Sequence, residues 1–86
     1  MIAHTFKIIN PQGFHVRPTK IFVDKATLYP CKIFLVHNNK RANGKSSLGV
    51  MSLGLACNAE VTLEIDGDQE RKAMEELGEL LTRIYD

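Results

Sequence analysis

The chain has 86 residues, 44% hydrophobic and 24% charged, the balance of an ordinary globule with room for one core, so a single domain over residues 1–86 is expected. A formal net charge of +1 supplies no global basic field for nucleic acid, and Lys40, Arg41 and Lys45 form at most a local patch. The apolar stretches at 33–36 and 53–57 fall far short of the roughly 20 residues that span a bilayer; the opening residues show no export signal, so a cytoplasmic protein without membrane insertion is expected.

Residues 2–8 alternate, with Ile2, His4, Phe6 and Ile8 on one side and Thr5 and Lys7 on the other, which predicts a half-buried strand stopped by Asn10-Pro11-Gln12-Gly13. From Val16 to about Tyr29, Phe22, Val23, Ala26 and Tyr29 recur at helical spacing, with Pro18 in the first turn where its missing N–H costs nothing. Lys32 to His37 reads as a strand, Asn38-Asn39 as a left-handed turn, and Lys40 to Asn43 as the return strand of a hairpin. Ser46 through Leu53 predicts a two-turn helix capped by Ser46 and stopped by Gly54. In the strand Glu60 to Asp66, Val61, Leu63 and Ile65 alternate with polar residues. The last helix, about Gln69 to Ile84, carries Ala73, Met74, Leu77, Leu80, Leu81 and Ile84 on one stripe.

This β-α-β-β-α-β-α order predicts an α+β fold, a two-layer open-faced β-sandwich with three helices on one face of a four-stranded antiparallel sheet. Phe34 and Val36 then point to the open face, where neighbouring side chains or another molecule can cover them. Cys31 and Cys57 have a spacing that suits neither zinc nor a redox pair, and both read as buried small hydrophobes.

Gly13-Phe14-His15-Val16-Arg17-Pro18 lies where a strand ends and a helix begins. There the N–H groups of Val16 and Arg17 and the helix macrodipole favour an anion. The positive helix end disfavours a second positive charge on His15, and a neutral ring nitrogen is a competent nucleophile. Arg17 adds a guanidinium fork suited to phosphoryl oxygens. His4 and His37 lack such surroundings and read as structural; no metal site is expected from the three histidines. Between Lys45 and Leu55 the apolar residues are spread around the helix. Either some of Leu48, Val50 and Met51 stay exposed for protein contact, or the helix is wholly buried.

Together, Gly13-Phe14-His15-Val16-Arg17-Pro18 and Lys45-Ser46-Ser47-Leu48-Gly49-Val50-Met51-Ser52-Leu53-Gly54-Leu55 resemble the HPr family, over nearly the whole chain. These are the histidine-containing phosphocarriers of the bacterial sugar phosphotransferase system. The resemblance implies that His15 takes phosphate on Nδ1 from phosphorylated Enzyme I and passes it to IIA domains of sugar permeases, with Arg17 steadying the phosphate. It also implies a monomeric carrier rather than a turnover enzyme, without a cofactor, whose docking surface includes Val16, Lys20, Ser47, Leu48 and Met51. Ser46 occupies the family's regulatory serine, the target of a serine kinase in many Gram-positive bacteria; a plain N-cap hydroxyl is the equal alternative. Thr19 stands where Ala commonly follows the Arg-Pro pair, Lys20 replaces a small residue and Ser47 a bulky apolar one, departures that bear on partner choice. A specialised relay or a regulatory module that docks on a transcriptional regulator under control of Ser46 is therefore the alternative function.

Overall fold

Alternation decides which strand takes the centre. In the computed structural model, which describes residues 1–85, the elements are β1 (Ile2–Lys7), α1 (Val16–Ala26), β2 (Lys32–His37), β3 (Lys40–Asn43), α2 (Ser47–Met51), β4 (Glu60–Asp66) and α3 (Glu70–Leu81). Asp86, the last residue of the expected 1–86 unit, lies outside the described residues. The strands form an antiparallel sheet in the order β1-β4-β2-β3. Strand β4 is interior, and its Val61, Leu63 and Ile65 are fully buried; they stand opposite Phe6, His4 and Ile2 of β1, while Leu63 and Ile65 also face Leu35 and Ile33 of β2.

The three helices cover one face of this four-stranded sheet, giving the expected open-faced sandwich. Phe22, Val23 and Ala26 of α1 and Ala73, Met74, Leu77 and Leu81 of α3 close the core over it. Burying a side chain of this size contributes about 1.5–3 kcal/mol before entropy is counted. On the open face, the Arg41 guanidinium lies 3.8 Å from the centre of the Phe34 ring and donates to Glu64 at 3.2 Å, so neighbouring side chains half-cover the apolar pair Phe34 and Val36. Asn38 and Asn39 adopt φ of 50° and 68°, the left-handed turn expected between β2 and β3.

All three helices are shorter than their apolar periodicity. Helix α1 stops at Ala26 because the chain tightens, with Leu28 and Tyr29 donating to Lys25 and Ala26 three residues back, yet Tyr29 stays buried. Helix α2 ends at Met51 instead of running from Ser46 to Leu53; the Ser52 hydroxyl bonds the Gly49 carbonyl and Gly54 turns with φ +61°. Helix α3 ends at Leu81, where the Thr82 hydroxyl folds back onto the carbonyls of Gly78 and Glu79. The chain then leaves the helical register, so Ile84, expected on the core stripe, is 59% exposed, and Tyr85 is buried instead. Cys57 is a further correction. Cys31 is buried, whereas Cys57 is only half-buried, on a loop whose side chains do not all face inward.

Pairing β1 with β4 brings the segment after β1 alongside the segment before β4. Gly13 marks the closest approach: its φ is +73°, and a Cβ there would stand 2.6 Å from the Leu55 carbonyl oxygen. Gly13→Ala should therefore cost about 2 kcal/mol or more through backbone strain and forced separation of the two segments. Urea denaturation checks this, and a variant as stable as the parent would contradict it.

Candidate functional site

Strand β1 delivers the chain into a loop laced to its neighbour by backbone hydrogen bonds. Ile8 donates to Ala59 at 2.8 Å, Asn58 donates to Ile8 at 2.7 Å, and Phe14 donates to Leu55 at 2.8 Å. Asn10 closes the turn from within. Its carbonyl accepts the Gly13 N–H, its side-chain amide donates to the Gly13 carbonyl, and its Oδ1 accepts the Tyr85 N–H, each at 2.8 Å. A side-chain amide 1% exposed thus has both ends satisfied, as burial requires.

His15 follows at the N-cap of α1 with extended backbone, φ −79° and ψ −163°. The Thr19 N–H donates to the His15 carbonyl at 3.0 Å, closing the first helical turn. The N–H groups of Val16 and Arg17 precede that bond and Pro18 has none, so the helix start is directed outward at residues 16 and 17. The imidazole is half-buried, and its Nε2 is sealed from solvent without a hydrogen-bond partner among the described residues. Val16, Arg17 and Lys20 are exposed, Val16 by 66%. The Lys20 ammonium rests on Asp24 one turn along α1 at 3.1 Å, an exposed pair that contributes little to stability.

Helix α2 packs against α1. Its N-cap is Ser46, whose Oγ accepts the Gly49 N–H at 3.1 Å. Leu48 is 83% exposed and Met51 41%, whereas Val50 is buried, so the segment leaves apolar surface in water rather than burying all of it. Ser47 is exposed beside them. The Lys45 ammonium donates to the Tyr29 carbonyl at 2.7 Å, which ties the approach to α2 to the end of α1.

The remaining histidines are engaged elsewhere. His37 bonds the Glu60 carbonyl through Nδ1 at 2.8 Å and the Asn38 amide through Nε2 at 3.2 Å, while His4 stacks on Phe6. Among the described residues no cluster of His, Cys, Asp or Glu is arranged to hold a metal, and no helix is long and apolar enough to cross a membrane. A groove of about 680 Å³ between α1 and α3 is lined by Ile21, Leu28 and Leu80 among others and does not include His15 or Arg17.

Three residues around His15 escape pattern reading. Asn10 looks like an ordinary turn residue, Thr19 like any residue of a helix's first turn, and Tyr85 lies past the periodic stripe. Asn-Pro followed by Gly was the available signal for Asn10. Tyr85 packs edge-on against Phe14, ring centres 6.4 Å apart, and donates its hydroxyl to the Leu80 carbonyl at 2.6 Å. Burial holds its phenol above the ordinary value of 10.0, with the nearby Arg83 charge opposing and Glu79 assisting.

Comparison with known proteins gives one consistent answer. The profile of a family described as the PTS HPr component phosphorylation site matches residues 2–83. The phosphocarrier protein HPr of Buchnera aphidicola is 34% identical over 84 residues, covering 98% of this chain and 99% of that protein. The crystal structure of HPr-C-His from Thermoanaerobacter tengcongensis superposes with a TM-score of 0.90 at 37% identity, covering 94% of this chain and 91% of that one. The Bacillus subtilis catabolite repression protein Crh, solved as an intertwined dimer with a swapping domain, gives 0.75 at 32% identity, with 94% and 93% covered.

Two outcomes follow from this geometry. Removing the cap in Ser46→Ala should cost about 1 kcal/mol in urea denaturation; an unchanged midpoint would show that the bond to Gly49 carries no stability. Because the unfolded chain ionises Tyr85 first, it binds fewer protons than the folded chain above pH 10.0, and stability falls as pH rises through that value. Tyr85→Phe should flatten the decline, and parallel stability curves for variant and parent would contradict the assignment.

Proposed function

The chain belongs to the HPr family of the phosphotransferase system, and on that premise we propose that it accepts a phosphoryl group on His15 from phosphorylated Enzyme I and donates it to IIA domains of sugar permeases. One observation carries the proposal. His15 stands at the start of α1 with Nε2 shut away, so Nδ1 is the nitrogen left to meet an incoming group. With its hydrogen on Nε2, the ring presents the Nδ1 lone pair to phosphorus. The new P–N bond forms as the donor's bond to phosphorus breaks, and the donor keeps that electron pair.

The charge of the transferring group is spread over its three outer oxygens, so catalysis rests on placement and on positive charge. The helix start at residues 16 and 17 supplies N–H donors in this role, and the Arg17 guanidinium supplies a charged fork. Charging is undone at each delivery to an acceptor, which makes the protein a carrier with no product of its own. Val16, Lys20, Ser47, Leu48 and Met51 form the docking surface for donor and acceptor. The joint exposure of Val16, Leu48 and Met51 on the packed helices α1 and α2 supports this, since apolar side chains exposed together rather than singly suit a protein partner.

A second function is a regulatory module whose docking on a transcriptional regulator is set by a kinase acting on Ser46; the likeness to a catabolite repression protein favours a regulatory role. Ser46 sits next to the exposed Ser47 and Leu48, where a phosphate of about two negative charges alters what binds. Of the three departures, Lys20 and Ser47 are exposed and bear on which partners are served, whereas Thr19 is buried and, contrary to expectation, does not reach that surface.

Incubation with phosphoenolpyruvate and Enzyme I should give one acid-labile, base-stable phosphate per chain, absent in His15→Ala. A parent that takes up none would favour the regulatory module. Arg17→Ala should fold normally and transfer roughly ten- to a hundredfold more slowly, as expected for loss of a charge-assisted hydrogen bond. Equal transfer rates for variant and parent would remove Arg17 from the reaction.

A further inference from the structure

We infer that Thr19 and Tyr85 are positioning residues of the phosphoryl site, holding Phe14 and with it the two peptide planes that orient His15. The inference rests on His15 being the acceptor.

A threonine in the first turn of a helix commonly bonds the carbonyl four residues back, through its hydroxyl as well as its N–H. Thr19 divides the two donors instead. Its N–H takes the His15 carbonyl at 3.0 Å, and its hydroxyl reaches one residue further to the Phe14 carbonyl at 3.1 Å. The first bond fixes the peptide between residues 15 and 16, the second the peptide between 14 and 15. Those planes set φ and ψ of His15, so one side chain and its own amide fix the backbone from which the imidazole projects. Alanine at position 19 would keep only the first bond. Thr19 is 1% exposed, which shields the hydroxyl bond from competing water.

Tyr85 acts on the same residue from the other side. The Phe14 ring meets Phe22 edge-on at 5.9 Å and Tyr85 edge-on at 6.4 Å. Tyr85 is anchored at both ends, by its hydroxyl on the Leu80 carbonyl and by its backbone N–H on Oδ1 of Asn10, whose side-chain amide in turn holds Gly13. Phe14 is thus gripped at its N–H by Leu55, at its carbonyl by Thr19 and at its ring by Tyr85. In-line transfer tolerates little misplacement of the attacking nitrogen, so loosening this grip should slow the chemical step. Docking should be spared, because Val16, Leu48 and Met51 take no part in it.

The test measures phosphoryl uptake from phosphorylated Enzyme I at varied donor concentration. Thr19→Val preserves shape and removes the hydroxyl; it should lower the saturating rate about fivefold and leave half-saturation unchanged. Thr19→Ser restores the hydroxyl and should return the rate to within about twofold of the parent. Tyr85→Leu should slow transfer likewise, and Tyr85→Phe, which keeps the ring contact but loses the hydroxyl anchor, should slow it less. In hydrogen exchange, the Phe14 amide of Thr19→Val should exchange faster while that of Leu63 in β4 is unchanged, which separates local loosening from global destabilisation. A parental rate in Thr19→Val, a Ser variant as slow as the Val variant, or a change confined to half-saturation overturns the inference. A parent that takes up no phosphate overturns the acceptor role of His15 together with it; a normally charged parent beside an indifferent Val variant overturns this inference alone.

Discussion

The pairing of β1 with β4 is the constraint from which the site follows. These strands are far apart in sequence, yet their register sets Lys7 opposite Glu60, so the chain leaving β1 meets the chain entering β4. Three backbone hydrogen bonds then join residues 8 and 14 to residues 55, 58 and 59. Were the sheet ordered as successive hairpins, the segment carrying His15 would have no such neighbour, and its backbone groups would turn to water. The backbone pairing at the two ends of the loop, residues 8 and 14, is thus a consequence of sheet topology.

Burial on either side of His15 is divided by kind. Behind it lie Asn10, Thr19 and the rings of Phe14, Phe22 and Tyr85, with the polar members satisfied by carbonyls or amides. A buried side-chain amide left unpaired would cost about 1–3 kcal/mol, so these groups favour a single arrangement of the loop. In front are Val16, Leu48 and Met51, apolar and in water. The core contributes a fixed backbone, while the surface leaves flexible apolar side chains exposed.

The order of elements was legible because each strand and helix repeats its pattern often enough to be counted. Val61, Leu63 and Ile65 alternate without a break, and Asn38-Asn39 supplied the turn residues its backbone demanded. The position of His15 at a helix start was equally readable, since Pro18 marks the first turn. Helix ends were not. Apolar spacing continues through Tyr29 and Ile84, while α1 ends in a turn tightened by the Leu28 and Tyr29 N–H groups together with the Thr27 hydroxyl, and α3 ends where the Thr82 hydroxyl folds onto nearby carbonyls. Threonine does this in many settings without ending a helix, so its presence alone carries little information. The same ambiguity hid Tyr85, which becomes a core residue only because Thr82 takes the chain out of register.

Thr19 shows why composition near a motif is a poor guide to its supports. As a departure from the usual alanine it reads as a change at the edge of a docking surface, yet the side chain points inward and never reaches that surface. Hydroxyl and methyl of threonine occupy nearly the volume of valine, so what distinguishes the residue here is one donor with one carbonyl in reach. A carrier must present its imidazole in the same pose to donor and acceptor, whose surfaces differ. A pose fixed from within, by bonds buried beneath the surface, is offered to either alike, and this is what the buried hydroxyl supplies that exposed residues cannot.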